Sequence, residues 1–201
     1  MIGNDVVDLG DADSRIAGYH PRFDARVFAP SERALIAAGP DGERLRWLLW
    51  AAKESAYKAA RRADPQAVFS PARFVVSLAS EAAATVDGAG RTFAVDLAAD
   101  GEHVHAVARA RDDAGGTVYS AVARIGPGGA ATTPSAAVRR VTVTTLACLL
   151  DVPEDDLAID RVGRVPRLLL RGRRDPAELS LSHHGRFVAF ACRWQDGAGR
   201  A

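Results

Sequence analysis

From Gly42 to Arg62 the chain runs with no internal glycine or proline, and Leu45, Leu48, Leu49, Ala52, Ala56 and Ala59 recur at intervals of three and four. That spacing gathers apolar side chains on one face of an α-helix, so the segment predicts a long amphipathic helix that must bury that face. Ala51, Ala52, Ala56, Ala59 and Ala60 make the helix thin enough for other backbone to come close. A shorter helix is expected from Ser31 to about Ala38, with Ser31 as its cap and Glu32 in the first turn.

After Pro65 the apolar period falls to two. Phe74 to Leu78, Thr92 to Leu97, Val104 to Ala108 and Val118 to Ile125 read as an antiparallel meander, with turns at Asp87–Gly90, Asp100–Gly101 and Asp112–Gly116. Ile2 to Leu9 reads as a short opening strand. The stretch Gly126 to Pro134 has the composition of a flexible linker. A second helix is expected from Ser135 to about Leu150, followed by short strands near Ala158–Asp160, Arg167–Leu170 and Val188–Arg193. The expectation is an α+β fold of two similar subdomains, each a long helix packed on a small antiparallel sheet. Residues 1–125 form the first half, 126–134 the linker, 135–195 the second half and 196–201 a frayed tail.

With 48% hydrophobic residues in a chain of 201, a sizeable core is available. The 26 basic and 25 acidic side chains nearly cancel, so net charge indicates no nucleic acid or other polyanionic partner, and local clusters must carry any electrostatic argument. Cys148 and Cys192 each lie in an apolar stretch and read as buried free thiols of a reducing compartment. No stretch has the pattern of a secretory signal or the ~20 apolar residues of a membrane span. A soluble, cytoplasmic protein with no membrane partner is expected.

Glu54 and Lys58 stand four apart on the long helix, with Glu on the N-terminal side. Alone they would be a surface ion pair contributing a few tenths of a kcal/mol. Asp5 adds a second consideration, because an ionised carboxylate in an apolar strand needs a partner or a metal. Asp5 with a helix glutamate makes a hard-oxygen site suited to Mg²⁺, which keeps several waters and takes further ligands from substrate phosphates. Carboxylates and lysines at a phosphate site supply what phosphoryl-type transfer requires.

Three separated blocks resemble the 4′-phosphopantetheinyl transferase superfamily. Gly3-Asn4-Asp5-Val6-Val7-Asp8 is similar to its G-x-D-[IV]-[VE]-x signature. Trp50-Ala-Ala-Lys53-Glu54-Ser55-Ala-Tyr-Lys58 matches W/F-x-x-K-E-[SA]-x-x-K throughout. Leu179-Ser180-Leu181-Ser182-His183 resembles [ILV]-S-[IL]-S-H, and Gly163-Arg164-Val165-Pro166 resembles a G-[KR]-P turn with one residue inserted. The block order is that of the short, trimeric holo-acyl-carrier-protein synthase type. Length and two-half layout are those of the longer, monomeric surfactin-synthetase-activating type, with the halves in exchanged order and related by a pseudo-twofold. A monomer with one site between its own halves is therefore expected.

The resemblance implies that Asp5 and Glu54 ligate Mg²⁺, with coenzyme A as co-substrate. Val7 stands where the long type has a third acidic ligand and agrees with the short type. Asp8 is implied either to orient a metal-bound water or to be a strand-end charge. The nucleophile is implied to be a serine of an acyl or peptidyl carrier protein, deprotonated by Glu54 or a metal-bound water, with Lys58 serving the leaving 3′,5′-ADP. Lys53, Lys58, Arg139, Arg140, Arg164, Ser182 and His183 are implied contacts to coenzyme A. Arg15, Arg22 and Arg26 form an implied docking surface for the acidic carrier. His184, by strand alternation, points away from its neighbour and reads as merely exposed. Two other readings compete: a non-catalytic relative that binds coenzyme A or a carrier protein, and a metal-dependent nuclease or phosphatase. The last lacks the further carboxylates of a two-metal site.

Overall fold

The computed structural model describes residues 1–15, 22–113, 115–126, 133–163 and 165–194. The long amphipathic helix forms as expected: α3, Gly42–Ala63, is capped by Asp41, whose Oδ1 accepts from the Arg44 amide at 3.0 Å, and ends just before Asp64-Pro65. Its apolar face packs on a five-stranded antiparallel sheet in the order β1-β5-β4-β3-β2. The strands are β1 (Ile2–Asp8), β2 (Val75–Leu78), β3 (Ala83–Gly88), β4 (Arg91–Ala99) and β5 (His103–Ala110). Two short helices, α1 (Phe23–Val27) and α2 (Pro30–Ala38), cover one end of α3.

The second half repeats this plan. Strand β6 (Thr117–Arg124) leads to helix α4 (Pro134–Leu150), and then to β7 (Leu157–Val162), β8 (Val165–Leu170), β9 (Arg173–His184) and β10 (Phe187–Trp194). The second sheet has the order β6-β10-β9-β8-β7. In both sheets the first strand lies at the edge beside the last one, and the long helix connects the first strand to a four-strand meander. The fold is α+β with two similar subdomains.

That topology moves one boundary. Val118–Ile125, read from sequence as the end of the first meander, is β6 and pairs with β10. It opens the second unit, and the Gly/Pro-rich stretch lies inside that unit, between β6 and α4. Most of that stretch, and the tail from residue 195 onward, fall outside the described residues. β3, whose segment Ala83–Gly88 was not read as a strand, completes the first sheet. Helix α2 starts one residue before Ser31, and Glu32 rather than Ser31 caps it, accepting from the Ala29 amide at 2.6 Å. Cys192 is buried but Cys148 is exposed on α4, contrary to the expectation of two buried thiols.

Two cores result. Leu49, Ala52, Ala56, Phe74, Val86, Phe93 and Val104 are among those filling the space between α3 and the first sheet. Leu146, Leu157, Leu168, Leu179 and Phe190 fill that between α4 and the second. Each fully buried Leu or Phe contributes about 1.5–3 kcal/mol relative to exposure. Between the two units lie smaller clusters: Ile2 and Val107 with Ala191, and Val6 with Phe187 and Ala189. β1 is thus covered on both faces, and all seven of its residues are buried.

Gly3 permits that placement. A Cβ on Gly3 would run into the Ser55 carbonyl and the Ala59 amide nitrogen of α3. The strand must therefore back away from the helix if any side chain is added. Gly3→Ala should lower the unfolding free energy by more than about 2 kcal/mol, measured by urea denaturation; a variant as stable as the parent would show that β1 does not need this close approach.

Candidate active site

Asp5 shares the α3-facing side of β1 with Gly3 and Val7, so the close approach at Gly3 brings its carboxylate to the helix. Lys58 Nζ donates to Asp5 Oδ1 at 2.8 Å and to the Asn4 carbonyl at 3.1 Å. The ammonium expected to pair along the helix with Glu54 reaches across to β1 instead. Glu54, one turn before Lys58, accepts no hydrogen bond and makes no ion pair with any described residue. Burial pushes the Asp5 carboxyl above the usual carboxylate range, against the opposing pull of Lys58. Burial does the same to Glu54, again opposed by Lys58, and the nearby Asp5 charge pushes it further up.

Two desolvated carboxylates thus feel the charge of one ammonium, which of the two bonds to Asp5 alone. Among the described residues no three His, Cys, Asp or Glu side chains gather into a cage, and Val7 is packed in the core. Such a donor set suits a hard dication that takes only one or two carboxylates from protein and the rest from phosphate and water. The residues present are compatible with Mg²⁺, and Asp5 and Glu54 are the carboxylates that could hold it.

The Ser180–His183 strand meets this cluster from the second unit. Ser180 Oγ accepts from the Asn4 amide at 2.9 Å, and His184 Nδ1 accepts from the Asp8 amide at 3.1 Å. Asn4 Nδ2 donates to Ser182 Oγ at 3.2 Å and lies 3.4 Å from His105 Nε2. Alternation along β9 therefore turns Ser180, Ser182 and His184 toward β1 and His183 the other way. His183 is exposed. Its pKa is lowered first by partial desolvation, then by the Lys58 and His184 charges, while Asp5 pulls the other way. It thus lies within electrostatic range of the carboxylate cluster.

Several expected contacts are placed elsewhere. Lys53 is wholly buried on a different side of α3 from Glu54, paired with Glu32 at 2.7 Å and donating to the Pro71 and Phe74 carbonyls. It has no path to a phosphate, which corrects the role the family pattern implied for it. Ser182 is 5% exposed and its hydroxyl is turned into the interface between the units, leaving His183 as the outward polar group of that motif. Asp8 neither faces Asp5 nor stands free: its carboxylate is engaged by Arg186. Arg139 donates to the Ile159 carbonyl at 2.9 Å, and Arg140 is exposed on α4. Neither is among the charges that shape the ionisation of Asp5, Glu54 or His183. Arg164 lies outside the described residues. Arg15, Arg22 and Arg26 are exposed, Arg22 and Arg26 at and within α1 and Arg15 after the turn that follows β1.

Arg62 is a residue the sequence reading passed over. It stands one turn after Lys58, is partly buried, and donates to the Pro166 carbonyl at 3.2 Å and to the Leu179 carbonyl. With Lys58, Arg61, Pro166 and Ser180–Leu181 it lines a cleft of about 150 Å³ between the units. The four-residue spacing from Lys58 was its one signal in the sequence.

With this geometry in place, the chain belongs to the 4′-phosphopantetheinyl transferase superfamily, whose family model matches residues 1–108. The match takes in Asp5, Glu54 and Lys58 and ends within β5, before the Ser180–His183 strand. A search of curated proteins returned no match.

The interface beneath the site also carries a pH signature. Burial, reinforced by His103 and Lys58, lowers the His105 pKa from 6.5 to about 4. The unfolded chain therefore binds a proton in that window that the folded chain refuses. His105 supports the fold fully above pH 6.5, and its contribution, at most about 3 kcal/mol, is lost as pH falls toward 4. Urea titrations at pH 7, 6 and 5 should show a shallower loss of stability in His105→Gln than in the parent. Parallel losses would mean that another group carries the dependence.

Proposed function

We propose that this protein transfers the 4′-phosphopantetheine arm of coenzyme A to a serine hydroxyl of an acyl or peptidyl carrier protein, releasing 3′,5′-ADP. The observation that carries the proposal is the Lys58–Asp5 ion pair with the desolvated Glu54 carboxylate within range of both charges, beside the Ser180–His183 strand. Family membership supports phosphopantetheinyl transfer as the class of reaction.

Asp5 and Glu54 would hold Mg²⁺, which when bound neutralises pyrophosphate charge. Glu54 has no hydrogen-bond partner among the described residues and its carboxyl is more basic than usual, so it suits the role of accepting the serine proton. The serine oxygen forms a bond to the phosphorus that carries the pantetheine arm, and the bond from that phosphorus to the oxygen of 3′,5′-ADP breaks. Lys58, 27% exposed beside Asp5, keeps a proton at Nζ to stabilise or protonate that leaving phosphate. His183 and the Arg61–Arg62 end of the cleft offer donors to the remaining phosphates. The substrate serine approaches from the side of Arg15, Arg22 and Arg26, whose charges suit an acidic carrier. In this reading the enzyme is a cytoplasmic monomer; that both sides of the cleft come from one chain supports a site complete within a single chain.

Incubated with coenzyme A, Mg²⁺ and a panel of apo carrier proteins, the parent should add the mass of one phosphopantetheine arm to at least one carrier. Glu54→Gln should abolish the gain, with a rate loss of at least about 100-fold, while keeping the parent's thermal midpoint. A parent that modifies no carrier would remove the transferase reading. Separately, reversing charge at Arg22 and Arg26 together should raise the KM for carrier about tenfold and spare that for coenzyme A. Unchanged carrier kinetics would place docking elsewhere.

A further inference from the structure

A dense polar joint between the two units lies three residues beyond Asp5 on one side and three beyond His183 on the other. The Asp8 carboxylate has no exposed surface. It accepts from the Arg186 backbone amide and Nε, each at 2.8 Å, from Arg186 Nη2 at 2.6 Å and from the Gly10 amide at 2.8 Å. These donors hold its pKa well below the usual carboxylate range, the Arg186 side chain most strongly. The Asp8 amide in turn donates to His184 Nδ1. Gly185 completes the joint: its φ is +51°, and a Cβ there would lie 2.5 Å from Asp8 Oδ2. The end of β1 and the β9–β10 turn are thereby locked in one register, with His183 next to the locked residue His184.

His183 itself accepts or donates no hydrogen bond to a described residue, and it is exposed. What fixes its distance from Asp5 and Lys58 is the backbone on either side: Ser182 bonded to Asn4, and His184 with Arg186 bonded to Asp8. We propose that Asp8 and Arg186 are a positioning pair, holding the imidazole of His183 at the distance from the Asp5–Glu54–Lys58 cluster at which it meets a phosphate of coenzyme A. This rests on the transferase reading above. It gives Asp8 a task other than metal binding, and it gives Arg186 a task that an exposed turn arginine would not have.

The pair acts through His183, so its effect must vanish when His183 is absent. Arg186→Ala, His183→Ala and the double variant would be compared for transfer with coenzyme A, Mg²⁺ and apo carrier protein. Arg186→Ala should raise the KM for coenzyme A about fivefold or more, leaving kcat and the KM for carrier within about twofold. In the His183→Ala background it should add less than about twofold. Arg186→Lys, which keeps a charge for Asp8 but not the two-pronged contact, should fall between parent and Ala. Should Arg186→Ala fail to fold, the Lys variant and its His183→Ala double carry the same comparison. Equal effects in both backgrounds, or no effect on coenzyme A, would overturn the positioning role while leaving the transferase intact. A parent without transfer activity would be read by calorimetric binding of coenzyme A in the same four proteins. A parent that neither transfers nor binds coenzyme A removes the transferase reading, and this one with it.

Discussion

An edge strand buried on both faces is the constraint on which this molecule turns. β1 pairs on one side with β5, and on the other side its amides and carbonyls face β9 without forming a strand ladder with it. Buried backbone groups left unpaired would cost about 1–3 kcal/mol each. The protein meets this with side chains: Ser180 Oγ takes the Asn4 amide, Lys58 Nζ takes the Asn4 carbonyl, and His184 Nδ1 takes the Asp8 amide. The polar residues of β9 recur at every second position because one face of that strand completes the open edge of another. Half of what looks like a binding motif is therefore architecture. Only His183, at the opposite parity, is left for solvent and ligand.

The same strand explains what the sequence made legible about the fold. α3 was plain because its period is unbroken, and its alanines foretold the close approach that Gly3 completes. The layout of two similar halves was also legible, but their boundary was not. Ala83–Gly88 has five small or polar residues among its six, Val86 being the exception, and was passed over as a strand. Val118–Ile125 then filled the apparent fourth place in the first meander. A hydrophobic alternation says that a segment is a strand but not which sheet it joins. The pairing of β6 with β10 is made at a separation in sequence that no local pattern records.

The site divides in a similar way. Asp5, Glu54 and Lys58 were legible as chemistry because carboxylates and lysine in apolar surroundings demand partners, and the structure brings them to one place. Their connectivity was not: Lys58 reaches β1 rather than completing the helix-surface pair with Glu54. Lys53 carried a signal that was overlooked. It stands four after Leu49 and three before Ala56, on the apolar face, where a lysine can survive only with a buried partner. Glu32 could not have been named from sequence, since it is supplied by a different helix. Arg186 gave no local signal, because a glycine-arginine turn between two strands is ordinary until Asp8 is placed beneath it.

Lys53 and Glu54, adjacent in sequence, show how one helix separates structure from chemistry. The carboxylate that Lys53 meets, Glu32, is fully satisfied, receiving the ammonium and the Ala29 and Val76 amides. Removing either member of such a buried pair costs about 3–5 kcal/mol, because the other is left uncompensated. That side of α3 is finished, and it fixes the helix against α2 and the loop at Pro71–Phe74. Glu54, turned a third of the way round the helix, receives nothing from a described residue and sits beside a second carboxylate that burial also disfavours. A folded chain keeps such a frustrated pair only where the surroundings hold it in place. Here the hold is supplied by the finished side: the Lys53–Glu32 joint sets the rotation of α3, Gly3 sets its distance from β1, and the two together aim Glu54 and Lys58 at Asp5. The unsatisfied charge is what remains available to a cation and a phosphate, and its position is set by ion pairs and backbone contacts that take no part in the chemistry.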